Sequence, residues 1–97
     1  MEDVAKHVGD SVKICSTVYG GKYLETAKGS PTFLNIGGAY PNAPLTIVIW
    51  SALRRQFKNV PEDFYNNKEV CITGKIELYK GKPQIVLSNI NQIYTIE

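Results

Sequence analysis

Tyr79-Lys80-Gly81-Lys82 gathers an aromatic ring and two ammonium groups around a glycine. Glycine enters positive φ without a Cβ penalty, so Lys80-Gly81 reverses the chain and displays ring and charge at a hairpin tip. The chemistry available to such a set is recognition, because ring faces stack on planar groups and lysines meet anions. Reactive chemistry has no comparable set. The carboxylates Glu2, Asp3, Asp10, Glu25, Glu62, Asp63, Glu69, Glu77 and Glu97 fall on turns, helix starts and strand ends, whereas acid–base catalysis needs groups that converge within hydrogen-bond reach. Nucleophile motifs, a phosphate-binding loop, a dinucleotide fingerprint and paired histidines are all missing. Gly37-Gly38 is turn chemistry, and His7, the one histidine, has no partner at metal-ligand spacing. The expectation is a binding protein with no catalytic residues, no metal and no cofactor.

The chain of 97 residues is expected to form one domain, with 1–10 as an N-terminal extension or helical turn. Its 43% hydrophobic and 21% charged residues are ordinary globular values and argue against disorder. A net charge of +2 means that polyanion binding must come from local clusters, and Arg54, Arg55, Lys58 and Lys75, Lys80, Lys82 form two. No window reaches the roughly 20 apolar residues that span a bilayer, so no membrane contact is expected. Met1 to Asp10 has acids and no apolar run, which reads as cytoplasmic, or as exported if a leader was trimmed. Cys15 and Cys71 are too few for a disulfide scaffold and are expected as free thiols; a bridge would need their strands to be neighbours.

These residues must be positioned by strands. Val70, Ile72, Ile76 and Leu78 share one parity with Gly74, while Thr73, Lys75 and Glu77 take the other, the period of a half-buried strand from Glu69 to Tyr79. Val12, Ile14 and Val18 mark a first strand from Ser11 to Tyr19, with a bend or bulge at Gly20-Gly21 after which Tyr23-Leu24 can resume the strand. Thr32 to Ile36 and Leu45 to Trp50 supply the second and third. Ser51 is expected to cap a short helix, Ala52 to Lys58, with Leu53 and Phe57 buried and Arg54 and Arg55 solvated. A fifth strand runs to Leu87, and Ile90 to Ile96 completes the edge. Three strands, a short helix and two strands is the succession of the all-β, five-stranded Greek-key barrel called the OB-fold.

The chain also resembles bacterial OB-fold domains of the nucleic-acid-binding kind, over roughly Val8 to Ile93. The resemblance is carried by His7 to Val12, Thr32 to Gly37, Leu45 to Trp50, Val70 to Ile76, Gly81 to Ile85 and Asn91-Gln92-Ile93. Similar strings occur in anticodon-binding modules, exonuclease subunits and domains found beside nucleases. The implied function is non-catalytic binding of single-stranded DNA or RNA with little sequence preference.

On that frame Tyr19 and Phe33 are candidate stacking platforms, Asn35 a hydrogen-bonding group between them, and Trp50 a platform or a core lid. Lys22 and Tyr23 are placed on the first loop and Tyr79, Lys80 and Lys82 on the hairpin tip, so that two loops close on a backbone; Lys75 adds a phosphate contact. Plainer readings stand beside these. Phe33 would be covered by the Gly37 to Pro44 loop, the tyrosines would be barrel-rim residues, and the tip lysines would guard an edge. Apolar outer positions Phe33, Val48 and Trp50 alternatively suit a partner or fused protein domain, and the same aromatic face suits an oligosaccharide.

Overall fold

A computed structural model describes residues 4–26, 28–38, 40 and 42–96. Its strands are β1 (Ser11–Tyr23), β2 (Thr32–Ile36), β3 (Leu45–Ile49), β4 (Glu69–Tyr79), β5 (Lys82–Val86) and β6 (Ile93–Thr95), with single-turn helices α1 (Ser51–Arg54) and α2 (Pro61–Phe64) between β3 and β4. Antiparallel pairs β1–β2, β2–β3, β5–β4 and β4–β1, with the parallel pair β3–β5, close a ring of five strands, and β6 adds to β4. The alternation read along the strands sets the inside. Val18, Leu34, Ile36, Leu45, Ile47, Ile49, Val70, Ile72, Ile76 and Ile85 are fully buried or nearly so.

Two glycines permit the strands to close. Gly20 at φ 87° accompanies a register shift between Val18 and Gly21, so β1 bends and then continues against β2. A Cβ on Gly74 would stand 2.5 Å from the Ile85 side chain, so a hydrogen is all that fits between β4 and the core. At the other hairpin Lys80 and Gly81 have φ of 52° and 80°, with Tyr79 paired to Lys82, the two-residue turn expected there.

Several details differ from the sequence reading. β1 continues past the bulge to Tyr23, as the sequence after Gly20-Gly21 allowed, so Lys22 and Tyr23 are strand residues and do not lie on the first loop where the site reading set them. α1 begins at Ser51 with Trp50 as its uncapped N-cap, and ends after one turn; Gln56 and Phe57 bond back only three residues, tightening the chain toward Pro61. Arg54 is not solvated: it turns inward to Glu62, with 16% of either side chain exposed. Cys15 and Cys71 are not free thiols. The β1–β4 register sets them directly opposite, and they form a disulfide that ties the closing pair of the ring. Val48, an outer position, is buried between its register partners Phe33 and Val86. The final edge is a 3-10 turn, Ile90–Gln92, followed by β6.

Candidate functional site

The outer faces of β2, β3 and β5 form one surface because Phe33, Asn35, Thr46 and Gln84 have outward parity. Against this floor stand Lys22 and Leu24 at the end of β1, Tyr79, Lys80, Lys82 and Pro83 on the β4–β5 hairpin, and Tyr40 from the β2–β3 connection. The groove they enclose has a volume of about 640 Å³. Its rings are Phe33, half-buried in the floor, and Tyr40 and Tyr79, which are 78% and 58% exposed. The Lys80 ammonium lies 5.4 Å from the Tyr79 ring centre, and that of Lys82 lies 5.9 Å from the Tyr40 ring centre. Cation and ring are thus offered together at both places. Among the described residues that line the groove, three are lysines and none is a carboxylate.

Of the residues singled out from sequence, the groove brings together Lys22, Phe33, Asn35, Tyr79, Lys80 and Lys82. Tyr19 is exposed near the β1 bulge, and Lys75 is exposed on β4 opposite Ser11; neither lines the groove. Trp50, 44% exposed, packs on the β1–β2 connection, where a Cβ on Gly29 would come within 2.8 Å of its ring. Tyr23 faces the other way. Its ring lies 3.7 Å beneath the Arg54 guanidinium, which also donates to Thr32 Oγ1 at 2.6 Å and to Glu62 Oε1 at 2.7 Å and Oε2 at 3.2 Å. Burial raises the Glu62 carboxyl's pKa, but the Arg54 hydrogen bond, a bond to its own backbone and the Arg54 charge outweigh it and hold the group below the usual carboxylate range. This cluster fastens β1, β2 and the helical segment, a structural task.

Residues that the sequence reading left out of the site are Tyr40, Thr46, Gln84, Gly21, Leu24 and Pro83. Outward parity on β3 and β5 is a signal for Thr46 and Gln84. Tyr40 lies among glycines and prolines with no periodicity, so only the fold places it. Among the described residues no group of three or more histidines, cysteines or carboxylates could hold a metal ion, and no helix is long and apolar enough to cross a membrane.

No protein-family model and no curated protein matches the chain. Among solved structures, it is similar to a protein assigned as an aspartyl-tRNA synthetase from Leishmania major Friedlin, at a TM-score of 0.56 and 12% identity. The match covers 97% of this chain and 19% of that one, so the likeness is one of fold, shared with a small part of a much longer protein.

Proposed function

We propose that this chain is an OB-fold barrel that binds single-stranded nucleic acid and performs no catalysis. The observation that carries the reading is the groove itself, in which Phe33, Tyr40 and Tyr79 are rimmed by Lys22, Lys80 and Lys82 with no acid among them. Each stacked base would gain about 1–3 kcal/mol from a ring, and the lysines would meet the phosphates between. A fold shared with part of an aspartyl-tRNA synthetase supports the same class of ligand.

Fluorescence anisotropy of labelled oligothymidine and oligouridine at low salt tests the proposal. Saturable binding is expected in the range of about 1–100 µM typical of contacts dominated by phosphate. No binding to either strand at about 100 µM protein, with retention on a glycan or peptide array, would assign the groove to another ligand.

A further inference from the structure

We propose that the floor of this groove contains a base-reading subsite formed by Asn35, Thr46 and Gln84, which makes binding selective for the base beside Phe33. The inference rests on the nucleic-acid reading of the groove. Asn35 pairs with Thr46 across β2 and β3, and Thr46 pairs with Gln84 across β3 and β5, so the three side chains form one row across three strands. Neighbouring strands lie about 4.8 Å apart, so Asn35 and Gln84, with Thr46 between them, stand about 10 Å apart and would meet the edges of two adjoining bases. Phe33 precedes Asn35 by one outward position on β2, about 7 Å along the strand, so a base stacked on its ring would lie beside the row.

The polar atoms of the row are unspent. Asn35, Thr46 and Gln84 are half-buried in a largely apolar groove, and among the described residues none of their side chains has a hydrogen-bond partner. Their polar atoms reach solvent rather than lying buried and unpaired, so they are open to a ligand, which would exchange water for a direct hydrogen bond. A carboxamide offers a donor and an acceptor side by side, the pattern displayed by the edge of a nucleobase. The row also differs from the rest of the groove in kind. Rings stack on any base and lysines meet any phosphate, whereas these three groups distinguish one edge from another.

The test is a set of anisotropy titrations with hexamers of deoxyadenosine, deoxycytidine and thymidine, using the wild-type chain and the variants Asn35→Ala, Gln84→Ala and Lys80→Gly. The wild type is expected to bind one hexamer at least about fivefold more tightly than the weakest, the lower end of discrimination by a bidentate edge contact. Asn35→Ala and Gln84→Ala should bring that ratio toward one while keeping the salt dependence of the wild type. Lys80→Gly should weaken all three hexamers in proportion and leave the ratio. Equal affinities in the wild type, or a ratio unmoved by both amide variants, would overturn the base-reading subsite while the groove remained a nucleic-acid site. Failure of every hexamer to bind would overturn both.

Discussion

Lys80 stands at φ 52°, a left-handed conformation that costs a residue with a Cβ about 1–2 kcal/mol and that two-residue turns ordinarily give to Asn, Asp or Gly. Replacing it by glycine removes that strain and the charge together. Lys80→Gly is therefore expected to leave the chain as stable as before or up to about 1 kcal/mol more so by urea titration, while weakening oligonucleotide binding severalfold. A general loss of fold cannot mimic that divergence. Phe33 and Trp50, both candidate platforms from sequence, should separate in the same assay. Phe33→Leu is expected to cost about 1–3 kcal/mol of binding, and Trp50→Leu less than about twofold, since Trp50 packs on Gly29 away from the groove. Outward parity made Phe33 and Asn35 legible from sequence. Trp50 shares that parity, and its position at the end of β3, beneath a loop of no regular pattern, could not be read from alternation.

At the scale of elements, the hydrophobic alternation and the glycine turn made β1 to β5 legible, but the ion pair beneath them was not. Arg54 and Glu62 are eight residues apart on two helical turns whose approach depends on the bend at Val60-Pro61, so the spacing carries no helical signature. Because the Glu62 carboxyl titrates below its unfolded value, its contribution to stability is present above about pH 5 and is lost as pH falls through the folded pKa. Glu62→Gln should destabilise the chain by about 1–2 kcal/mol at pH 7 and flatten the acid limb of Tm against pH. A variant with an unchanged acid limb would show that the pair contributes nothing. Gly74 belongs to the same scale. Gly74→Ala forces a methyl against Ile85 and should cost about 1–3 kcal/mol in urea denaturation; no cost would mean that β4 shifts freely.

Over the whole molecule, the Cys15–Cys71 bridge links positions 56 residues apart across the pair of strands that closes the ring. A loop of that length gives about 4 kcal/mol in the chain-entropy account. Urea unfolding with and without reductant should differ by roughly that amount, and the double variant Cys15→Ser, Cys71→Ser should match the reduced chain. Two cysteines of outward parity were visible in sequence; their pairing was not, because it depends on which strands adjoin and in which register. Ring closure also explains the site, since it brings the end of β1 and the β4–β5 tip to the same face of β2 and β3. The central claim is that this face grips a polyanion through three lysines, and the most direct measurement is the affinity for labelled oligothymidine across a salt series. The logarithm of the binding constant should fall against the logarithm of salt with a slope of about −2, the value for three phosphates on a single strand, and flatten when Lys80 or Lys82 is removed. An affinity indifferent to salt, or a slope that neither variant alters, would contradict it.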